Sequence, residues 1–537
     1  MAEHVSVATP LLPECSQKES KAQRLSIDEV LQEWAGELGP GQVRHFILVS
    51  LAWWLPCFLT FVMVFADQTP EWVCTPTLHS NIAITFPAGN SSLLPHLHEP
   101  HVAAHMQSNS PSCTPTSSIC SLASSLWKWV DGEDASTVSQ WGLICGNSYK
   151  VGLVQCLFFL GISIGSGVWG GLSDSSLGRK GVLILTCCLS SILCLVTAFS
   201  PNYWVYIALR LATGLSAGGI GTTAFVLATE VVGPSKRGPA SMSIFFSYAC
   251  AIIILSTLAL FTSPWRLLYK LSSALCSLYC LLVLPFVQES PRWYLARGEV
   301  DKALNILKDI ASRNKRSIPE TITLEREKGD ALQAIAAGVR KAGPLDIFKI
   351  PVARRRMVIM LFIWLTNGLS YFGINLNVSN VGENISIGLI LNAVVEMPSY
   401  LIAAFMLQAY GRRPVLVCAL LLSGVSCLGG ALAGGSATRM ICGMVAIFGI
   451  AASYNMVFIY TAELFPTEVR NVAIGLASQA AQIGAVSAPL AAAAAKIHGC
   501  IPFAVFSSMA FIASCVASCL PETLEKRMHE TMHGMLV

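Results

Sequence analysis

The chain is dominated by long apolar runs, each about as long as a bilayer-crossing helix, with polar connections between them. The hydrocarbon core of a bilayer is about 30 Å thick, and an α-helix needs about 20 apolar residues to cross it. The runs are continuously apolar rather than alternating, which excludes a transmembrane β-barrel. They predict twelve transmembrane helices, at residues 43–66, 149–172, 180–200, 203–229, 240–262, 266–288, 356–378, 384–409, 413–434, 439–462, 471–495 and 500–520.

Charged residues are scarce. They make up 12% of the 537 residues, and hydrophobic residues make up 53%, whereas about a quarter of a soluble protein is charged. We therefore predict an all-α integral membrane protein. The net charge of +4 is small and scattered, so nucleic-acid binding is not expected. Residues 1–41 are polar and mixed in charge, so the first apolar run is expected to serve as the insertion signal.

Lysine and arginine are concentrated on one side of the predicted membrane. Fifteen of the 35 lie from Arg292 to Arg356, whereas the 67–148 loop has one, Lys128. Because such residues mark cytoplasmic loops, both termini are predicted to be cytoplasmic, in either the plasma or the vacuolar membrane. The predicted division is a cytoplasmic N-terminal segment (1–42), a six-helix bundle (43–288) with the extracytosolic loop 67–148, a cytoplasmic central loop (289–355), a second six-helix bundle (356–520) and a cytoplasmic tail (521–537).

The 67–148 loop has features typical of an extracytosolic segment. Asn90-Ser91-Ser92 is a glycosylation acceptor, so Asn90 is predicted to carry a glycan. Histidines between residues 96 and 105 are interpreted as part of a solvated tract, and no metal site is predicted. Two disulfides are predicted among four cysteines, with three pairings open: Cys74, Cys113, Cys120 and Cys145.

One segment of the central loop is predicted to be an amphipathic helix lying under the bundle. Residues 298–313 carry apolar side chains at helical spacing.

The two halves of the chain repeat the same rare residues. Gly178-Arg179 recurs as Gly411-Arg412, 233 positions later, the difference between 178 and 411. Because charges are rare here, a common spacing indicates two homologous six-helix bundles, as alternating access requires. The same offset relates Glu230 to Glu463, Arg237 to Arg470 and Glu289 to Glu522.

A glycine-containing segment joins the second and third runs, Gly171-Leu-Ser-Asp174-Ser-Ser-Leu-Gly178-Arg179-Lys180. Together with the repeat, it is similar to the signature of the major facilitator superfamily, and the resemblance covers essentially the whole chain. The usual form has two residues between the aspartate and the glycine, whereas this chain has three, so the local turn is expected to differ. The resemblance implies two six-helix bundles related by a pseudo-twofold rotation.

Further segments narrow the resemblance within this superfamily. They are the long cysteine-containing outer loop, Ser139-Gln-Trp-Gly-Leu-Ile-Cys145, Gln288-Glu-Ser-Pro-Arg-Trp293, Asn392-Ala-Val-Val-Glu396-Met-Pro398 and Glu463-Leu-Phe-Pro-Thr-Glu-Val-Arg470-Asn471. They resemble the organic cation/carnitine transporter family, and most closely its plant branch. The resemblance implies a secondary transporter of small organic cations or zwitterions, such as carnitine or polyamines, that works by alternating access. A functional monomer without a cofactor is expected.

The same resemblance indicates where a substrate binds. Tyr371 matches an aromatic residue that the family places at its central cavity, and Tyr248, Tyr454 and Phe458 are candidates to complete an aromatic cage. Aromatic faces attract quaternary ammonium ions by about 0.5–2 kcal/mol each. Gln482 stands where animal cation-selective members resemble each other in carrying an aspartate and carnitine-type members an arginine, so a zwitterion or neutral polar solute stays open.

Glu396 is a candidate site residue within the eighth predicted transmembrane helix. An ionised side chain is costly there and marks a pathway or a pairing. Three interpretations stay open: Glu396 attracts a cationic substrate, binds a proton that couples transport, or pairs with a buried base, Arg210 or Arg439.

A group of charged residues is predicted to line the cytoplasmic rim of both bundles. Ion pairs among them can join the halves in one state and break in the other, which biases an equilibrium separated by a few kcal/mol. We predict that neutralising Asp174 or Arg237 slows transport without preventing insertion. The predicted latch residues are Asp174, Arg179, Glu230, Arg237, Arg412, Glu463 and Arg470.

Two rival functions remain. A sugar-type proton symporter of the same fold is disfavoured by the cysteine-bearing loop and the Asn392–Pro398 segment. A non-transporting solute sensor is disfavoured because the chain keeps Glu463 and Arg470. No catalytic motif is found, so an enzyme is not expected. The transported species is predicted to be a small organic solute, with coupled protons as an open alternative.

Overall fold

The computed structural model describes residues 23–75, 119–174, 177–324, 344–381, 384–466 and 469–524. Its twelve long helices coincide with the twelve predicted runs, with ends that differ by a few residues, so the predicted transmembrane helices are confirmed. They are α1 (Pro40–Ala66), α2 (Tyr149–Asp174), α3 (Gly178–Thr197), α4 (Tyr203–Thr229), α5 (Pro234–Leu260), α6 (Trp265–Leu282), α7 (Pro351–Val381), α8 (Ile385–Tyr410), α9 (Arg412–Leu432), α10 (Ser436–Leu464), α11 (Arg470–Ala493) and α12 (Ile501–Ala517).

Most of these helices suit a bilayer by length and composition. Within the described ranges, ten of them are long and apolar enough to cross a membrane, and α12 is a shorter apolar helix. Two glutamines, Gln479 and Gln482, dilute the apolar character of α11. Shorter helices lie at Ile27–Val30, Thr137–Trp141, Pro291–Ala296, Val300–Arg313 and Pro344–Lys349, and strands at β1 (Gln23–Leu25), β2 (Trp72–Cys74), β3 (Trp127–Trp129) and β4 (Ile322–Leu324).

Two helix pairs make the extended contacts between the halves. Helix α2 packs on α11, and α5 packs on α8. A rotation that moves each helix onto the helix six places along converts the α2–α11 pair into the α8–α5 pair. The two interfaces are therefore equivalent, as a parallel repeat about one axis requires. The predicted fold of two related six-helix bundles is confirmed.

Glycines allow helices within each half to approach backbone to backbone. Gly165 of α2 lies against the backbone of Leu215 in α4, and Gly368 of α7 lies against Ala481 in α11. A Cβ atom at either glycine would overlap the facing carbonyl oxygen. Because lipid removes the hydrophobic drive between helices, such close van der Waals packing is what holds them together.

The end of the bundle that carries residues 119–148 is called the loop end. There β2 pairs antiparallel with β3, and Cys120 is disulfide-bonded to Cys145. Cys74 is disulfide-bonded as well. Two residues of the sequence predictions, Asn90 and Cys113, lie outside the described residues.

The opposite end, with the α2–α3 and α8–α9 turns, is called the rim end. The helix Val300–Arg313 packs there, within residues 298–313 for which the sequence predicts an amphipathic helix. Its Ile310 contacts Val231 and Val232 between α4 and α5, so one face touches the bundle. The remaining buried residues of this helix are Ala303, Leu307 and Ala311.

An N-terminal segment docks on that helix and forms a second small core. Strand β1 pairs in parallel with β4, and Leu25, Val30 and Leu31 pack against Leu307 and Ala311. Residues 1–41 are polar and mixed in charge overall, and this packing was not predicted because the apolar residues involved are few and far apart in sequence.

Asp28 fixes the N-terminal segment to the rim end electrostatically. Its Oδ1 accepts from Arg237 at 3.0 Å and also from Arg292. The Arg237 side chain donates to the Val232 carbonyl as well. One carboxylate thus joins the start of α5 to the segment that follows α6.

We expect Asp28→Ala to loosen the N-terminal segment. Two guanidinium groups lose their shared acceptor, at a cost of about 1–2 kcal/mol because these side chains are 29–37% exposed. Amide hydrogen exchange over β1 and β4 should accelerate about tenfold, since about 1.4 kcal/mol corresponds to that factor. Asp301→Ala, at an exposed acid on the neighbouring helix, should leave exchange unchanged. Equal exchange in both variants would contradict this role of Asp28.

Candidate functional site

The repeated rim motif forms the same small structure twice. Gly178 and Gly411 have φ values of +77° and +92°, a conformation that suits glycine. After Gly178, Glu289 accepts the N–H groups of Arg179 and Lys180. After Gly411, Glu522 accepts those of Arg412 and Arg413 at 2.9 Å. The carboxylates therefore cap the first turns of α3 and α9.

Glu522 lies beyond the membrane-spanning helices and is held as a carboxylate. Burial raises the pKa of its carboxyl, but N–H donation by Arg412, Leu524, Arg413 and Thr523 outweighs burial and lowers the pKa below its ordinary 4.5. A carboxyl group whose pKa is lower in the folded than in the unfolded protein stabilises the fold at pH values above its unfolded pKa. That stabilisation is lost as the pH falls through the folded pKa. The cap on the first turn of α9 is therefore weakened when the Glu522 carboxylate is protonated.

Ion pairs complete the rim of each half. Arg179 pairs with Glu230 at 3.5 Å, and Arg412 pairs with Glu463 at 2.8 Å. Thr523 donates to the Glu463 carboxylate at 2.6 Å. Each pair lies within one half, so neither forms the ion pair between halves that the latch hypothesis assumes.

The other predicted latch residues lie at the same end. Arg237 pairs with Asp28 rather than with Glu230. Asp174 ends α2, and Arg470 begins α11. These placements gather all seven residues at the rim end, and their role in transport stays a prediction.

We expect Glu463→Gln to slow transport while the protein still inserts. The change removes the charge that holds Arg412, whose side chain is 20% exposed, at a cost of about 1.5–3 kcal/mol for a charged hydrogen bond. Initial uptake should fall roughly tenfold, because about 1.4 kcal/mol corresponds to that factor. Glu320→Gln, at an exposed acid, is the control. Wild-type uptake by a well-expressed Glu463→Gln protein would rule out this role.

Aromatic rings from both halves meet at the centre of the bundle. Tyr371 of α7 stacks on Tyr454 of α10, with ring centroids 5.9 Å apart and an interplanar angle of 13°. The ring centroid of Phe458 in α10 lies 4.4 Å from that of Trp364 in α7 and 6.0 Å from that of Phe245 in α5. The cluster therefore bridges the two bundles.

All four predicted aromatic residues belong to this cluster. Tyr248, on α5, lies with its ring centroid 6.2 Å from that of Phe61 in α1. It is buried in the same apolar core as Tyr371, and the half-buried rings of Tyr454 and Phe458 pack against that core. We call the set Phe245, Tyr248, Trp364, Tyr371, Tyr400, Tyr454 and Phe458 the aromatic cluster.

Glu396 lies in the aromatic cluster and is 1% exposed. Its Oε1 accepts a hydrogen bond from Tyr400, and the Tyr371 hydroxyl lies close to the same carboxylate. Within the described part of the chain, Oε2 has no hydrogen-bond partner. A carboxylate in this position is a ready counter-charge for a bound cation.

The basic partners proposed for Glu396 make other contacts. Arg210 donates to the Leu59 carbonyl and lies over the Phe158 ring, 4.2 Å from its centroid. Arg439 donates to the Ala433 carbonyl. Neither arginine contacts Glu396 in the described residues, so the pairing alternative is not what the structure contains.

Gln482, the glutamine predicted to bind substrate, is half-buried on α11, and its role stays a prediction. Its neighbour Gln479 instead bonds across the halves, accepting from Ser163 at 2.9 Å and donating to Ser166 at 2.8 Å. Gln479 therefore ties α11 to α2, and sequence reasoning did not identify it.

A second buried polar network lies near the loop end. Asp67, at the end of α1, accepts from Thr137 at 2.7 Å and from Tyr206 at 2.9 Å. Tyr206 contacts the Tyr269 hydroxyl at 2.9 Å, and the Tyr269 ring lies 5.6 Å from Arg210. A rare acid at the end of an apolar run was the signal that could have revealed this network.

Tyr400, Trp364 and Phe245 were also missed, although helical spacing could have found them. Tyr400 is one turn after Glu396, and Trp364 is two turns before Tyr371. Residues three, four or seven apart share a helix face. Extending each predicted residue along its face would have added these rings.

Comparison with known protein families places these features in context. The family model described as "Sugar (and other) transporter" matches residues 102–535. "Organic cation/carnitine transporter 4" of Arabidopsis thaliana is 43% identical over 98% of this chain and 95% of its own length. "Organic cation/carnitine transporter 2" of Homo sapiens is 30% identical over 76% of this chain and 73% of its own length.

Solved structures share the fold. The xylose transporter XylE from E. coli, in a partially occluded inward-open conformation, aligns with a TM-score of 0.59 at 16% identity. The alignment covers 91% of this chain and 99% of that one. At this identity the likeness supports the fold alone, and the substrate must be inferred from the residues of the site.

Proposed function

The chain belongs to the organic cation/carnitine transporter family of the major facilitator superfamily, and from this we propose that it is a secondary transporter of small organic cations or zwitterions. The substrate binds between the bundles, at the aromatic cluster and Glu396. The halves then rock about this site so that it opens to one side of the membrane at a time.

One observation carries the proposal: a buried carboxylate, one oxygen of which has no hydrogen-bond partner in the part of the chain that the structure describes, lies among aromatic rings where the bundles meet. A carboxylate and ring faces both attract a cation, whereas a neutral sugar gains no charge attraction from either. The aromatic cluster draws on α5, α7, α8 and α10, which belong to both halves. Binding there can therefore be coupled to their relative movement.

The rival functions fit these contacts less well. A proton-coupled sugar symporter needs hydrogen-bonding groups around its substrate, whereas Phe245 and Phe458 of the cluster have none and the Trp364 N–H already donates to Thr461. A sensor that has lost turnover has no need of the rim contacts of Glu463 and Glu522, which the second half keeps.

Several finer properties belong to the same proposal. The basic rim end faces the cytoplasm, following the positive-inside rule, and Asn90 carries a glycan on the other side. The unit is a monomer in the plasma or vacuolar membrane. The driving force is the solute gradient, the membrane potential or coupled protons. A potential of 100 mV contributes about 2.3 kcal/mol per charge.

Uptake into proteoliposomes tests the proposal. Purified protein is reconstituted, and radiolabelled tetraethylammonium, carnitine and xylose are offered with imposed voltage or pH gradients. We expect saturable flux of tetraethylammonium or carnitine and none of xylose. Flux of xylose alone would replace the proposal with the sugar symporter. Binding without flux of any solute would replace it with the sensor.

A further inference from the structure

Asn367 is a buried amide that lies on the same helix face as two members of the aromatic cluster. It is on α7, one turn after Trp364 and one turn before Tyr371. Residues at this spacing form a single stripe, and Trp364 and Tyr371 both contact Tyr454 of α10. The Asn367 amide therefore lies on the same face of α7 as two residues of the proposed cation site.

Neither polar atom of Asn367 is satisfied. The residue is 0% exposed, and within the described ranges both Nδ2 and Oδ1 lack a hydrogen-bond partner. Burying an amide without partners is costly, and an orphaned polar group in a native structure calls for an explanation such as a ligand or a water. Neighbouring Thr366 differs, because its hydroxyl donates to the Phe362 carbonyl at 2.9 Å.

The chemistry of the amide limits what it can bind. It offers one donor group and one acceptor. A substrate hydroxyl satisfies both, by accepting from Nδ2 and donating to Oδ1, whereas a carboxylate only accepts. One helical turn separates Asn367 from Tyr371, about 5.4 Å along the axis. A hydroxyl a few bonds from a quaternary nitrogen fits this separation.

We propose that Asn367 is a hydrogen-bonding subsite for a hydroxyl group on the transported cation. The inference rests on the proposed function and narrows it: the preferred substrates are quaternary ammonium ions with a hydroxyl close to the nitrogen. Glu396 and the aromatic cluster hold the cationic end, and Asn367 selects among cations.

The test compares two cations that differ in one group. Choline carries the hydroxyl, and n-propyltrimethylammonium replaces it with a methyl group of similar size. In proteoliposomes, the wild type should show a kcat/KM for choline at least about tenfold above that for n-propyltrimethylammonium, as for a site built around a substrate hydroxyl. Asn367→Leu should bring the ratio close to one by losing choline transport alone. The matched control Thr366→Val should keep the wild-type ratio.

A stability measurement separates this role from a structural one. Because the amide is unpaired, Asn367→Leu should unfold at the same temperature as the wild type or higher. A lower unfolding temperature with an unchanged ratio would overturn the subsite and assign a structural role. Equal transport of both cations by the wild type would remove the subsite and leave the proposed function. Transport of neither cation would remove both.

Discussion

Glu396→Gln should nearly abolish transport of organic cations. The substitution keeps the shape of the side chain and removes its charge, so a desolvated cation in the aromatic cluster loses its counter-charge. Removing one partner of a buried ion pair costs about 3–5 kcal/mol, which lowers apparent affinity by at least roughly 100-fold. Competition by tetraethylammonium against a labelled cation in proteoliposomes measures the change.

Ser399→Ala is the matched control on the same helix. The Ser399 hydroxyl donates to the backbone carbonyl of Glu396 at 2.7 Å and does not contact the carboxylate. Its removal should change affinity less than about threefold. A Glu396→Gln protein that binds and carries cations like the wild type would exclude Glu396 as the counter-charge.

Gly165→Ala should prevent the N-terminal bundle from packing. The added Cβ would overlap the backbone carbonyl of Leu215 in α4, and rigid backbone cannot move aside as a flexible side chain can. Overpacking of a close contact costs about 1–3 kcal/mol or more, and here the helices must separate. We expect a large fall in the amount of monodisperse protein recovered, measured by size-exclusion chromatography with fluorescence detection.

Gly167 provides the control within the same helix. A Cβ there has no heavy atom within 4 Å, so Gly167→Ala should be recovered at wild-type levels. If both variants behaved alike, the loss would reflect glycine content of α2 rather than its contact with α4.

The fold could be predicted because its signals can be read from the sequence without knowing which segments come into contact. Apolar run length gives each helix, and the common offset of Gly178 and Gly411 reports the repeat. Their matching contacts with Glu289 and Glu522 follow from that repeat. The predicted site residues Glu396 and Tyr371 were accessible for a different reason: a buried acid is rare enough to be noticed, and the tyrosine lies in a segment that resembles the family.

What could not be predicted depends on contacts between distant segments. Asp28 meets Arg237 across 209 residues of sequence, and nothing near either residue specifies the other. Gln479 reaches Ser163 only because the halves dock along α2 and α11. The family resemblance pointed to Gln482, whereas the side chain that bonds across the interface is Gln479, one turn away on the helix.

The most direct test of the account is a pair of distances measured across the two halves. Labels are introduced through non-natural amino acids, because the chain has 19 cysteines. One pair replaces exposed Lys236 and Arg413 at the rim end, and the other replaces exposed Pro201 and Ala437 at the loop end. Both distances are followed by electron–electron double resonance with and without saturating tetraethylammonium.

If the bundles rock about a central cation site, the cation should shift the two distance distributions in opposite directions, one widening as the other narrows. If a preparation that carries the cation shows both distances changing together, or neither changing, rocking of two bundles about the aromatic cluster is contradicted.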